Sequence, residues 1–201
     1  EVGKTLTPNA DARIDTTIQK FGTGSLELDG TGDFISVETQ EDFGFGTQNF
    51  AIEAWVYPTN NTGTNSILDF RTGATSDTAP YLYHTGGVVK FGSGTTEHIS
   101  GGSLSVDTWA HIALSRYNGD TKLFVNGTQV GSTYTDTNNY GDTKTLNIGS
   151  ATGTGSNFFT GYIDEIRCSA GTARFTGNFT APTSEYGTDI NTVLLLSLIH
   201  I

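Results

Sequence analysis

The chain has 201 residues, and its 21 acidic and 10 basic side chains give a formal net charge of −11. A field of this sign repels phosphate backbones and anionic membranes, which disfavours nucleic-acid binding. The sequence contains no apolar run of 18 residues, so it predicts no membrane insertion. Twenty-six Gly residues and 11% aromatic residues, without a long helical period, indicate one large all-β domain.

The first half of the chain predicts a series of short strands. Residues 1–20 are polar with weak periodicity, and residues 20–28 are predicted to form a loop that enters a strand. Further strands are predicted at residues 34–37, 50–57, 66–70, 81–84, 88–91 and 98–99, each bounded by turn residues.

Residues 109–130 show the clearest pattern in the chain. Ile112 and Leu114 occupy alternate positions in one run, and Leu123 and Val125 do so in the next. This period of two predicts strands with one buried face. The pairs Asn118-Gly119 and 126–127 (Asn-Gly) favour type I′ turns, so the segment is predicted to be a β-meander.

The last third predicts two more strands, at residues 145–148 and 161–167, after a polar loop at 138–142. A Gly-rich segment, 149–155, separates them. The large apolar side chains that we expect in the core are Phe50, Trp55, Trp109, Phe124 and Ile166.

The order of these segments resembles the laminin G-like branch of the concanavalin A-like lectin/glucanase superfamily. The resemblance rests on residues 28–37, 50–58, 109–127, 146–149 and 161–167, and it extends over about residues 20–187. It implies a jelly-roll β-sandwich of two antiparallel sheets over residues 1–188. Such domains occur in viral tail and bacterial surface proteins, so the resemblance also implies an extracellular or virion-surface location within a larger multi-domain chain.

The C-terminal residues have two interpretations. Residues 189–196 resemble the start of a following copy of the same unit; alternatively, residues 193–195 replace the apolar first strand that the N-terminus lacks. Residues 196–201 match one reading frame of a common transposon-type sequencing adaptor, so we interpret them as a non-native tail and exclude them from the fold prediction.

Catalytic motifs are incomplete. Hydrolases of this superfamily carry paired carboxylates as Glu-x-Asp-x-Glu or Glu-x-Asp-x-x-Glu, because one group acts as nucleophile and the other as acid/base. Glu27 and Asp29 match the first two positions, but Thr31 and Gly32 occupy those of the second catalytic carboxylate. The sequence therefore predicts a protein that is not an enzyme, with a glycoside hydrolase as the most distant alternative.

The resemblance implies a structural Ca²⁺ site. Relatives use an aspartate in the last long strand, which matches Asp164, and the segment with Asp29 and Asp33 is expected to supply ligands from the other side. The alternative is that Asp29 and Asp33 cap backbone amides in a turn, with Asp164 paired to Arg167 or Arg174.

Lectins of this fold bind sugars with aromatic faces and polar side chains on loops. The candidates are Tyr81, Tyr83, His84, Tyr140 and Asn157, each of which could instead be an ordinary loop or core residue. The leading hypothesis is thus a non-catalytic module that binds a carbohydrate or a cell-surface glycan. The alternative is a structural spacer in a tandem fibre, without a ligand.

Overall fold

Short strands make up nearly all the regular structure of the computed structural model, which describes residues 4–73, 76–141, 143–151 and 156–197. Within these residues there is one 3₁₀ turn, Glu41–Phe43, and no α-helix. The strands are, in chain order, β1 (Leu6–Asn9), β2 (Arg13–Asp15), β3 (Ser25–Asp29), β4 (Phe34–Gln40), β5 (Phe50–Pro58), β6 (Thr64–Asp69), β7 (Pro80–Thr85), β8 (Val88–Ser93), β9 (Thr96–Gly101), β10 (Ala110–Tyr117), β11 (Asp120–Val125), β12 (Thr128–Thr135), β13 (Lys144–Ile148), β14 (Thr160–Ala170) and β15 (Thr192–Leu196).

The strands form two antiparallel sheets. The seven-stranded sheet has the order β1-β4-β13-β6-β7-β8-β9, and the eight-stranded sheet has the order β12-β11-β10-β5-β14-β3-β2, with β15 also paired to β14. Neighbours in space are often distant in sequence, as for β13 between β4 and β6. This arrangement confirms the predicted all-β jelly-roll sandwich.

A single apolar core lies between the sheets. Val37, Leu82 and Phe91 of one sheet and Ile52 and Ile112 of the other are almost fully buried in it. Alternate residues of each strand point to this core because successive side chains lie on opposite faces of a strand. Hydrophobic burial between the sheets therefore fixes which residues remain on the outer faces.

The predicted β-meander is confirmed as β10, β11 and β12. Asn118 and Gly119 have φ angles of 51° and 84°, and Asn126 and Gly127 have φ angles of 50° and 78°. Positive φ at both central residues is the requirement of a type I′ turn, which matches the twist of the flanking strands.

Residues 171–191, here called the strap, follow β14 and cross the outer face of the eight-stranded sheet. The stacked rings of Phe175 and Phe179 pack on His111 and Phe124 of that face. The amide of Phe179 donates to the carbonyl of Gly127 at 2.9 Å. The strap therefore gives this sheet a second buried face.

Beneath the strap lies a buried ion pair. Glu53, which is 0% exposed, accepts two hydrogen bonds from Arg167 through Oε1, at 2.8 and 2.6 Å. Its other oxygen, Oε2, is 3.1 Å from Nε2 of His111. The carboxylate is thus paired and hydrogen-bonded, as a buried charge requires.

The C-terminal strand β15 pairs antiparallel with β14, with Cys168 opposite Leu194. Since β5 occupies the other edge of β14, β15 lies on the same side as β3 and extends that edge of the sheet. Residues 192–196 thus pair within this sandwich, and Leu196, the first residue of the predicted tail, lies opposite Ile166. A following copy of the unit stays a prediction. Residues 198–201 of the predicted tail lie outside the described residues.

The polar N-terminus forms two strands that the sequence did not predict. β1 pairs with β4 at the edge of one sheet, and β2 pairs with β3 at the edge of the other. Both are short and exposed, so they lack the alternation that a buried face produces. Among the described residues, no helix has the length and apolar character needed to cross a membrane.

Candidate functional site

Two stacked tyrosines project from the outer face of the seven-stranded sheet. Tyr81 and Tyr83 are two residues apart on β7, so they share a face, while Leu82 and His84 point to the core. The ring centroids of the tyrosines are 4.9 Å apart and the rings are 19° from parallel. Both side chains are half-buried, which leaves part of the pair accessible.

Neighbouring residues fix Tyr81 in place. The guanidinium carbon of Arg71 lies 3.8 Å from the centre of its ring, and Arg71 is itself held by Asp69 through Nε and Nη2 at 3.0 and 2.7 Å. On the opposite strand, Gly92 pairs with Tyr81. A Cβ at Gly92 would lie 2.5 Å from Cζ of Tyr81, so only glycine permits the ring to lie over β8.

Tyr83 is fixed through its hydroxyl group, which donates to Oε2 of Glu97 at 3.0 Å. The ammonium group of Lys90 donates to the same oxygen at 2.8 Å. Burial, together with the hydrogen bond to Glu97, raises the pKa of Tyr83 above its ordinary value. Tyr83 therefore remains a neutral phenol at physiological pH.

The tyrosine pair forms one wall of a cavity of about 280 Å³. Its described lining also contains Arg71, Ser66 and Asn157, together with Thr64, Ala151 and Ser156. Ser66 lies opposite Tyr83 on β6, and its amide donates to the carbonyl of Asn157 at 2.7 Å. The sheet order thus brings Tyr81, Tyr83 and Asn157, three of the five predicted ligand-binding residues, to one site.

One polar group of the cavity has no partner within the described part of the chain. Ser66 is 3% exposed, and its Oγ makes no hydrogen bond there. A buried hydroxyl without a partner costs on the order of 1–3 kcal/mol. This orphaned group at an aromatic cavity is what a ligand hydroxyl would satisfy.

The side chains around the cavity offer several groups for non-covalent binding. Aromatic faces, hydroxyl groups and an amide provide stacking and hydrogen bonds.

The structure corrects the predictions for His84 and Tyr140, which are both buried and do not lie on loops that face solvent. His84 packs against Phe159 in the core, and burial lowers its pKa to about 4. Tyr140 is 0% exposed, packs on Phe50 and donates its hydroxyl to Asp136 at 2.7 Å. Neither ring presents a face that a surface ligand could contact.

The three carboxylates predicted to hold Ca²⁺ do not converge. Asp33 accepts from the amides of Asp11 and Asp29, and Asp29 accepts from the amide of Thr31. Asp164 accepts from three amides, those of Lys20, Phe21 and Glu165. Because Asp29 pairs with Thr160 on β14, Asp164 lies four residues further along that strand, about 13 Å away.

All three carboxylates instead cap backbone amides, which was the alternative for Asp29 and Asp33. Asp164 pairs with neither Arg167 nor Arg174, since these bind Glu53 and Asp189. Its burial outweighs its three hydrogen bonds and raises its pKa to about 6. In the described ranges no group of three acidic, His or Cys side chains could hold a metal ion, so Ca²⁺ binding stays a prediction without a ligand set.

Sequence reasoning missed Arg71, Ser66 and Gly92 as parts of the site. The spacing Asp69-x-Arg71 directly after a strand is a local signal for an ion pair beside that strand end. Gly92 and Ser66 could not be found in this way, because their roles depend on which strands flank β7.

The fold is similar to those of several solved structures. Domain 4 of AbnA, a GH43 extracellular arabinanase from Geobacillus stearothermophilus solved in complex with arabinotriose, has a TM-score of 0.55 and 19% identity, over 82% of this chain and 81% of that one. The enzymatically active domain of bacteriophage CBA120 tailspike protein 2 has a TM-score of 0.63 and 16% identity, over 83% of this chain and 28% of that one.

Botulinum neurotoxin type C, whose cell entry depends on interaction with two ganglioside molecules, has a TM-score of 0.60 and 13% identity, over 88% of this chain and 44% of that one. The chain thus spans less than half the length of the neurotoxin and tailspike structures. Identities this low show a shared fold and no more.

Sequence comparison agrees with the fold. No curated protein sequence matches the chain. The profile of the concanavalin A-like lectin/glucanases superfamily, in its laminin G form, matches residues 29–173. This match extends over more than half of the chain and includes the meander and both flanking sets of strands. The chain therefore belongs to the concanavalin A-like lectin/glucanase superfamily, as a laminin G-like domain.

Proposed function

We propose that the chain is a non-catalytic carbohydrate-binding module, whose site is the cavity beside Tyr81 and Tyr83. The observation that carries the proposal is the orphaned hydroxyl of Ser66 opposite a fixed, half-exposed tyrosine pair. A sugar ring combines an apolar C–H face with hydroxyl groups at its rim. Because Arg71 and Tyr83 lie against the ring of Tyr81, the sugar would stack on Tyr83, contact the rim of Tyr81 and hydrogen-bond to Ser66 and Asn157 at the same time.

The similar structures support this proposal without deciding it. The AbnA domain was solved with an arabinose trisaccharide, and the neurotoxin interacts with gangliosides. The tailspike similarity supports the further proposal that the module acts outside the cell or on a virion surface, within a larger protein. The acidic net charge of −11 makes a neutral glycan a better partner than a polyanionic one.

The test is glycan-array binding of the full chain, with millimolar Ca²⁺ and with a chelator. We expect binding that Tyr81→Ala and Tyr83→Ala each weaken at least about tenfold, the effect of an energetically important contact. Tyr117→Ala is the matched control, because Tyr117 is 49% exposed and lies on the other sheet. Binding that disappears on chelation would revive a Ca²⁺ site, since a metal would then be needed.

Two results would refute the proposal. If no glycan binds in either condition, the spacer hypothesis becomes the better one. If a glycan binds but Tyr81→Ala and Tyr83→Ala leave its affinity unchanged, the cavity is not the site.

A further inference from the structure

A second group of exposed aromatic residues lies on the opposite sheet of the sandwich. Tyr162 of β14 pairs directly with Tyr57 of β5, and Trp109 precedes Ala110, which pairs with Val56. The ring centroids are 5.8 Å apart for Tyr162 and Tyr57 and 5.4 Å apart for Tyr57 and Trp109. All three side chains are half-buried, so the prediction of Trp109 as a core residue is wrong. We call these three residues the aromatic row.

Two charged side chains continue the row. Tyr162 pairs with Glu27 of β3, which pairs with Arg13 of β2. Arg13 and Glu27 form an ion pair at 2.8 Å, with side chains 62% and 22% exposed. Five neighbouring strands thus carry one continuous line of side chains, about 19 Å long at the usual strand spacing.

Other segments of the protein cover the part of this sheet face next to the row and leave the row open. Two residues back along β5, Trp55 is 5% exposed, with Phe21 packed against its ring and the ammonium of Lys20 3.8 Å from its centre. The strap covers His111 beside it through Phe179. A group of partly exposed aromatic residues beside these covering segments is typical of a contact surface rather than of a core.

We propose that the aromatic row is a second carbohydrate-contacting surface, which takes a neutral, linear polysaccharide chain lying across β3, β14, β5 and β10. Together with Glu27 and Arg13, the row is one residue wide and extends over five strands, which fits an extended chain better than the broad patch of a protein interface. The charges of Arg13 and Glu27 balance each other, so the row has no excess charge that would select a polyanion.

The polar groups of the row distinguish a glycan from a proline-rich peptide. Each aromatic side chain carries a hydroxyl or an indole N–H at its rim, and Glu27 and Arg13 add exposed acceptors and donors. A sugar chain offers hydroxyl groups to all of these along its length. A polyproline helix would use the rings but has too few donors to use Glu27. This surface is separate from the Tyr81–Tyr83 site, so the domain would contact carbohydrate at two places.

The experiment exploits the fact that the chain has two tryptophans, one in the row and one buried. The full chain is labelled with 5-fluorotryptophan, and Trp109→Phe assigns the two ¹⁹F resonances. Arabinan, xylan, laminarin and galactomannan are titrated in turn, with a proline decapeptide in parallel. We expect at least one polysaccharide to shift the Trp109 resonance in a saturable manner and to leave that of Trp55 unchanged.

Variants test whether the shift of the Trp109 resonance comes from binding at the aromatic row. Tyr57→Ala and the more conservative Glu27→Gln are expected to weaken the titration, the former at least about tenfold. Tyr117→Ala, on the same sheet, is the control that should change nothing. Tyr83→Ala should also leave the Trp109 titration unchanged, since it removes only the other site.

The failures of the two proposals are distinguishable. Array binding without any Trp109 shift overturns the second surface and leaves the first intact. A Trp109 shift that Tyr83→Ala abolishes shows a single site and overturns the inference. A shift produced by the proline peptide alone, or by raising the protein concentration alone, overturns it in favour of a peptide or of self-association.

Discussion

The buried ion pair beneath the strap yields a quantitative prediction for Arg167→Met. The substitution keeps the length and apolar stem of the side chain but removes both hydrogen bonds to Oε1 of Glu53. The carboxylate, 0% exposed, is then left with the contact from His111 at 3.1 Å. Breaking a buried pair in this way costs about 3–5 kcal/mol, because a buried charge is left uncompensated.

We expect the lower end of that range, about 3 kcal/mol, because the side chain of Arg167 is 14% exposed and water can take part of its place. Against a total stability of about 5–15 kcal/mol this is a large loss. It is measured as a shift in the urea midpoint at constant m-value. Arg167 also donates to the carbonyl of Gly187 at 3.1 Å, so limited proteolysis should cleave the strap faster in the variant.

The control is the double variant Glu53→Gln with Arg167→Met. It removes the charge along with its partner, so most of the lost stability should return. A loss below about 1 kcal/mol in the single variant, or a double variant as unstable as the single one, would refute the view that an unpaired Glu53 carries the cost.

Three further predictions follow from individual side chains. Gly92→Ala should displace Tyr81, cost about 1–3 kcal/mol by overpacking and weaken glycan binding, measured by denaturation and on the array; unchanged binding would contradict the role of Gly92. Leu194→Ala, at 6% exposure in β15, should cost about 2–5 kcal/mol in the urea midpoint, and no loss would show that β15 is not part of the sandwich. His84, whose folded pKa of about 4 lies below its ordinary 6.5, contributes stability that is present above pH 6.5 and lost as the pH falls towards 4. Asp164, whose folded pKa of about 6 lies above its ordinary 3.8, contributes stability that is present at low pH and lost as the pH rises through 6. His84→Leu and Asp164→Asn should therefore change the slope of the free energy of unfolding against pH, between pH 4 and 6.5, in opposite directions.

The parts of the fold that the sequence predicted are strands whose large apolar side chains recur at every second position. Leu123 and Val125 occupy alternate positions of β11 and both pack in the core. The adjacent Asn-Gly pairs are typical of tight turns. β1 and β2 were missed since an exposed edge strand needs no alternation. Their pairing is decided by β4 and β3, which lie elsewhere in the sequence.

The candidate site was only half predictable for a similar reason. Alternation on β7 is sufficient to place Tyr81 and Tyr83 on one face, and the same alternation, applied strictly, would have put His84 in the core. Ser66 and Asn157 reach the cavity only because β6 lies beside β7 and residue 157 hydrogen-bonds to it. Such neighbours depend on the whole sheet order, which no local pattern contains.

The strap explains why the polarity of a residue does not predict its exposure on the eight-stranded sheet. Glu53, His111 and Arg167 occupy the outward positions of their strands, where a sandwich sheet ordinarily meets water and polar residues need no partner. Because the strap covers them, each must find a partner within the protein, and Arg167 and His111 both contact the carboxylate of Glu53. Among the outer positions that the strap leaves uncovered are those of Tyr83 and Tyr57, where aromatic side chains are partly exposed. Recognition in this domain is therefore expected where the covering segments end, and the sandwich itself serves to hold those rows of side chains rigid.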